Sequence, residues 1–104
     1  MTASRIEALK AILAQDPNDG TAHYMLGTEY FKAQMYEEAV AALRQYLAVS
    51  IDEGAVYRTL AESLVRLGRV DEARRAYRDG LDAATRHSHQ PLIEEYTHAL
   101  EDLG

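Results

Sequence analysis

Residues 20–53 of the chain, GTAHYMLGTEYFKAQMYEEAVAALRQYLAVSIDE, are followed without a gap by residues 54–87, GAVYRTLAESLVRLGRVDEARRAYRDGLDAATRH. Many positions 34 residues apart carry similar side chains in the two segments. A fixed period of about this length is typical of arrays in which each repeat is one helix–turn–helix. We therefore predict two consecutive helical repeats, whose matched pairs include Leu26 and Leu60, Gly27 and Ala61, Lys32 and Arg66, Ala39 and Ala73, and Leu47 and Leu81.

The composition also favours helix and limits the chemistry available. The chain has 104 residues, of which 47% are hydrophobic, with only two prolines and one phenylalanine. It has no cysteine, which excludes a disulfide framework, a thiolate metal site and a cysteine nucleophile. The net charge of −6 argues against binding to a polyanion and favours solubility.

The apolar spacing predicts six helices joined by short turns. The first of them must end before Asp16-Pro17, because the residue before a proline avoids helical geometry. Asn18 or Asp19 is suited to capping the next helix, and Gly68 to a left-handed residue after a helix end. Gly80 falls inside a helix, which predicts a packing reason for a residue that costs about 1 kcal/mol there. The predicted helices span residues 4–14, 20–33, 37–50, 54–67, 71–85 and 91–103.

The two segments resemble the tetratricopeptide repeat, in which paired antiparallel helices stack into a right-handed superhelix. The resemblance rests on Tyr24, Leu26-Gly27, Tyr30, Tyr36, Ala39, Leu43 and Leu47 in the first copy, and on Tyr57, Leu60-Ala61, Leu64, Gly68, Ala73, Tyr77, Gly80 and Leu81 in the second. It implies one all-α domain over residues 1–104 with about two and a half repeats. These are a half repeat at 4–17, repeats at 20–53 and 54–87, and a capping helix at 91–103.

Two positions depart from the family pattern. Tyr46 stands where the family has alanine, which predicts wider packing between neighbouring repeats at that point. The final helix keeps the 34-residue spacing only if about two residues are inserted in the connection at residues 87–91. We interpret it as a cap whose acidic outer face keeps the end of the array soluble.

The resemblance implies that the first helix of each pair lines a concave groove, which would bind a peptide or a helix of a partner protein. Helical geometry independently places the predicted residues of each copy on one side of their helix. The alternative is that Arg58, Glu62 and Arg66 form an ion ladder at i, i+4 spacing and that Phe31 belongs to the core. The predicted groove residues are Thr21, Tyr24, Thr28, Phe31 and Lys32 in the first copy, and Ala55, Arg58, Glu62, Val65 and Arg66 in the second.

The sequence thus favours a non-catalytic protein–protein interaction module. Some family members grip a carboxylate with Lys and Asn, but the matching positions hold Tyr24, Thr28 and Thr59, so this clamp is not implied. We find no catalytic constellation and expect no cofactor. The alternative function is a scaffold that forms a homodimer through an apolar N-terminal end, since no preceding helix covers the outer side of Ile6, Leu9, Ile12 and Leu13.

Other patterns have simpler explanations. The arginines at 66, 69, 74, 75 and 78 do not indicate nucleic acid, because i, i+4 pairs such as Asp71–Arg75, Arg75–Asp79 and Arg78–Asp82 would neutralise them. His87, His89 and His98 lack the accompanying ligands of a metal site. Neither a signal peptide nor an apolar stretch of bilayer length is evident, so we expect a cytoplasmic protein that does not contact membranes.

Overall fold

The computed structural model describes residues 2–104, with side chains from Ser4 onward. In this part of the chain every regular element is an α-helix, and the six helices confirm the predicted all-α repeat fold. They are α1 (Thr2–Gln15), α2 (Gly20–Lys32), α3 (Tyr36–Val49), α4 (Val56–Arg66), α5 (Val70–Arg86) and α6 (Gln90–Leu103). The helices form two compact units, of which unit 1 ends at Ile51 and unit 2 comprises Asp52–Gly104.

Unit 1 contains α1, α2 and α3, with α2 packed against both of the others. The side chain of Asp19 caps α2 by accepting a hydrogen bond from the backbone N–H of Ala22 at 3.0 Å, as predicted. A β-carbon at Gly27 would lie only 2.5 Å from Leu43 Cδ2, so this position must be small for α2 and α3 to approach. The core joins all three helices and consists of Ile6, Leu9, Ala22, Leu26, Tyr30, Ala39 and Ala42, with Leu13 and Phe31 packed against it.

Unit 2 contains α4, α5 and α6, with α5 packed against both of the others. Tyr96 of α6 is fully buried, and its ring occupies the space beside Gly80 of α5. A β-carbon at Gly80 would lie 2.7 Å from both Tyr57 Cβ and Tyr96 Cε2. Close packing therefore compensates for the low helix propensity of Gly80, as the sequence predicted.

Three helices end in the same left-handed turn. After α4, Gly68 has a φ of +77°, the backbone N–H of Arg69 bonds the carbonyl of Leu64, and that of Gly68 bonds Val65. The ends of α2 and α5 repeat this pattern of a Schellman motif, but with Gln34 and Ser88 at the left-handed position. Two of the three turns thus place a residue with a β-carbon in a conformation that favours glycine.

We expect Gln34→Gly to raise the free energy of unfolding by about 0.5–1 kcal/mol, because it removes the strain of a β-carbon at positive φ. Gln45→Gly is the matched control, since Gln45 is an exposed residue inside α3 and the same change should cost about 1 kcal/mol there. Urea unfolding measures both values. A loss of stability in both variants would contradict the assigned turn.

Candidate protein-binding surface

The exposed face of α2 forms a shallow pocket together with α1. Tyr24, Thr28 and Lys32 recur at intervals of four residues and therefore follow one side of the helix. The pocket has a volume of about 160 Å³. We call it the α2 pocket, and its lining residues are Arg5, Tyr24, Met25, Thr28, Glu29 and Lys32.

An ion pair between α1 and α2 closes one side of the α2 pocket. Arg5 Nη1 donates to Glu29 Oε1 at 2.8 Å. The Glu29 side chain is only 6% exposed, whereas that of Arg5 is 63% exposed. A buried carboxylate requires a partner, so Arg5 satisfies Glu29 while its own guanidinium remains accessible.

One contact fixes the Tyr24 ring on this surface, and one hydrogen bond orients the neighbouring Thr28 side chain. The ring meets Tyr46 of α3 edge to face, with the ring centres 5.1 Å apart. The hydroxyl of Thr28 donates to the carbonyl of Tyr24 at 3.0 Å, which turns that side chain back onto the helix. Tyr24 nevertheless keeps 39% of its surface exposed, and neighbouring Met25 keeps 44%. Tyr46 thus packs against Tyr24 within unit 1 and leaves the Tyr24 side chain accessible.

The other two predicted groove residues of the first copy, Thr21 and Phe31, do not line the α2 pocket. Thr21 is exposed. Phe31 is partly buried against the core of unit 1, and its ring meets Tyr36 edge to face at 5.7 Å. Phe31 therefore packs against the core, as the alternative to the groove prediction stated, because it lies on the side of α2 that meets the start of α3.

In unit 2, α6 engages one of the predicted groove residues. Arg58 Nε and Nη2 donate to the two carboxylate oxygens of Glu95, at 2.5 and 2.7 Å. The ion ladder predicted from spacing alone did not include Glu95. This residue is the hydrogen-bond partner of Arg58 and lies 37 residues away on another helix. Glu62 is half-buried, while Val65 and Arg66 are exposed. We call Glu62, Val65 and Arg66 the α4 surface.

The Arg58 pair makes the stability of unit 2 sensitive to acid. The hydrogen bond from Arg58 lowers the pKa of Glu95 below its ordinary value. A depressed carboxylate pKa stabilises the fold above the unfolded-state value of about 4.3, and this contribution is lost as the pH falls through the folded-state pKa. Because the two side chains are 43% and 40% exposed, solvent weakens the effect.

We expect Glu95→Gln to be less stable than the wild type near neutral pH, with the difference narrowing below about pH 4. Glutamine removes the charge and keeps one of the two acceptor oxygens, so one of the two hydrogen bonds from Arg58 is lost as well, and only the dependence on pH reports the ionisation of Glu95. Thermal unfolding across this pH range measures the effect. If the difference stays constant down to the lowest pH at which both variants fold, the carboxylate of Glu95 does not act through its ionisation.

The structure corrects the expectation of an exposed apolar N-terminal end. Ile6 and Leu9 are only 7% and 4% exposed, because they contribute to the core of unit 1. Leu13 is partly buried against the same core. Of the four residues predicted for self-association, Ile12 alone is a largely exposed hydrophobic residue, at 45%.

The acidic and basic side chains of α5 pair differently from the i, i+4 prediction. Asp71 bonds Arg74 at 2.9 Å, and Asp82 bonds Arg86 at 2.6 Å. Arg75 and Arg78 are exposed on a face that also carries Asp79. The carboxylates still lie among the arginines along this helix, although their partners were assigned incorrectly.

The histidines near α6 have local structural roles. His89 Nδ1 accepts a hydrogen bond from the backbone N–H of Leu92 and so caps α6. His98 Nδ1 lies 3.3 Å from a carboxylate oxygen of Glu101. Within residues 2–104, no cluster of three or more histidine, aspartate or glutamate side chains could hold a metal ion. In the same range, no helix is both long and apolar enough to span a bilayer.

Six short helices, four of which form two copies with matched apolar residues 34 positions apart, define a helical repeat protein. The tetratricopeptide repeat family matches residues 1–84, and the chain belongs to this family. The family is typically a non-catalytic protein-interaction fold, and the protein is accordingly a protein-interaction module in this general sense.

Comparison with solved structures agrees with this assignment. The structure of MamA MSR-1 C2 superposes with a TM-score of 0.68 at 23% sequence identity, covering 94% of this chain and 63% of that chain. At this identity the likeness concerns the fold alone, and this chain spans less than two thirds of the length of that one. No curated protein matches the sequence.

Several features of the surface were not predicted from the sequence. Arg5, Met25 and Glu29 were not among the predicted residues, although they complete the α2 pocket. Glu29 carried one usable signal, since a carboxylate directly before the buried Tyr30 on the core side of α2 needs a basic partner. Nothing local identifies that partner as Arg5, which is 24 residues earlier.

Proposed function

We propose that the protein binds a peptide or helix of a partner protein through the exposed side chains of the first helices of its repeats, and that it catalyses no reaction. The observation that carries this proposal is the accessible aromatic and thioether surface of Tyr24 and Met25 beside Lys32 on α2. Exposed apolar side chains surrounded by polar ones are typical of binding surfaces. The α4 surface of unit 2 is similar, since Val65 is exposed beside the charged residues Glu62 and Arg66.

Arg58 is a poor site for testing this function. Its bidentate pair with Glu95 commits its guanidinium within unit 2. Charge reversal at Arg58 would place two carboxylates together and test the fold rather than the binding of a partner. Lys32 and Val65 are better sites for substitution, because both are exposed.

Affinity capture from the native cell tests the proposal, with Lys32→Glu and Val65→Glu as the variants. Lys10→Glu and Val70→Glu are matched controls. Lys10 is an exposed lysine on α1, and Val70 is 40% exposed where Val65 is 39% exposed. We expect recovery of the partner to fall about tenfold in at least one variant and to persist in both controls. Equal recovery with all four variants would contradict binding through α2 and α4.

The structure gives little support to the alternative of dimerisation through α1. Burial of Ile6 and Leu9 leaves Ile12 as the main exposed apolar residue of that set. A single exposed isoleucine is ordinary on a protein surface. Sedimentation at several concentrations tests this alternative, and a concentration-dependent dimer abolished by Ile12→Lys would restore it.

A further inference from the structure

The size of the α2 pocket restricts what it can hold. Sites for small molecules typically enclose about 300–1,000 Å³, whereas the α2 pocket has a volume of about 160 Å³. A cavity of this size suits a single side chain of a larger ligand. This inference rests on the proposed function, since a protein partner is the ligand that would supply such a side chain.

The lining of the pocket indicates an apolar side chain. The Tyr24 ring and the Met25 thioether chain are both substantially exposed there. Methionine adapts its shape to different apolar groups because its side chain is unbranched and flexible. The pocket can therefore accommodate an aliphatic or aromatic side chain without demanding one particular shape.

The charges around the pocket indicate which residues flank that side chain. Arg5 neutralises Glu29, the pocket's only acidic residue, through Nη1, and a guanidinium has further N–H donors. No carboxylate among residues 2–104 pairs with Lys32, which is exposed. The pocket thus has a local positive charge in a chain whose net charge is −6.

We propose that the α2 pocket binds one apolar side chain of an acidic peptide segment. Lys32 and the exposed guanidinium of Arg5 contact the carboxylates on either side of that side chain. Because the whole chain is acidic, long-range electrostatics oppose the approach of such a peptide. A preference for the acidic peptide must therefore arise from the pocket itself.

The test is a titration of the full-length, ¹⁵N-labelled protein followed by NMR, with defined peptides of equal length as probes. One probe carries a central leucine flanked by aspartates, the second has lysines in place of the aspartates, and the third has glycine in place of the leucine. We expect the first probe alone to shift the amide signals of Met25, Thr28 and Lys32 to saturation. Higher ionic strength should weaken the binding of this acidic peptide, because the charged groups of Lys32 and Arg5 that contact it are exposed to solvent.

Substitutions separate the pocket from the rest of the surface. Lys32→Glu should weaken binding of the acidic leucine peptide about fivefold or more, and Lys10→Glu should leave it unchanged within about twofold. Both variants change the net charge equally, and their spectra show whether they remain folded. Equal weakening by both would overturn the assignment to the pocket, as would binding of neither peptide or a preference for the basic one.

The outcome also distinguishes this inference from the proposed function. If Lys32→Glu or Val65→Glu abolishes capture of a cellular partner while the acidic leucine peptide fails to bind, the function stands and the inference about the pocket is wrong. If the matched controls reduce capture as strongly as those two variants, the proposed function itself is wrong.

Discussion

Replacing Tyr96 by alanine is expected to lower the free energy of unfolding by about 4 kcal/mol, one of the two largest effects predicted here. Tyr96 is fully buried, lies against Gly80, and has its ring centre 5.7 Å from that of Tyr77. Its hydroxyl donates to the carbonyl of Gly54, so truncation removes both a ring and a hydrogen bond. The loss would be a large share of the 5–15 kcal/mol typical of a whole domain.

Tyr96→Phe provides the control for this prediction. It retains the ring and removes only the hydroxyl. We expect a loss of about 1 kcal/mol from the missing hydrogen bond, while the Gly54 carbonyl still accepts from the backbone N–H of Tyr57. Burial raises the pKa of Tyr96, so the hydroxyl stays protonated and able to donate. Urea unfolding gives both values. Equal, small losses in the two variants would show that α6 is not anchored by this ring.

The second large effect concerns two leucines at corresponding positions of the repeats. Leu26 and Leu60 are 6% and 5% exposed in units 1 and 2, respectively. Each substitution by alanine should cost roughly 2–5 kcal/mol, because each removes buried methyl groups and leaves a cavity. The 34-residue period predicts that both variants will be affected.

Met25→Ala is the control for the leucine pair. It changes the residue directly before Leu26, but 44% of Met25 is exposed, so the cost should stay within about 0.5 kcal/mol. The same unfolding measurement compares all three variants. A cost below about 0.5 kcal/mol for either leucine would show that the helix faces are assigned incorrectly.

The sequence allowed much of the fold to be predicted, because the decisive signals are local. The period places Gly27, Ala39, Ala61 and Ala73 where helices meet, and the three alanines are fully buried. The φ of Gly68 was foreseeable from its place at a helix end. These features depend on residues a few positions apart or on the repeat itself, which a single sequence displays directly.

Contacts between distant helices could not be predicted in the same way. The partners of Arg58 and Glu29 are 37 and 24 residues away. A helical pattern identifies the face that a side chain occupies but not the offset between two packed helices. The final helix also follows a connection that departs from the 34-residue spacing. For the same reason, the periodicity of α1 did not show that Ile6 and Leu9 are covered by unit 1 itself.

Site-specific photo-crosslinking in the native cell tests the central claim most directly, that a partner protein contacts the first helices of the repeats. A photoreactive phenylalanine replaces Tyr24, Val65, Val70 or Ile12, one at a time; all four positions are exposed. We predict adducts with a partner protein from position 24 or 65 and none from positions 70 and 12. Adducts from position 70 alone, or adducts with a second copy of this chain from position 12, would contradict the account.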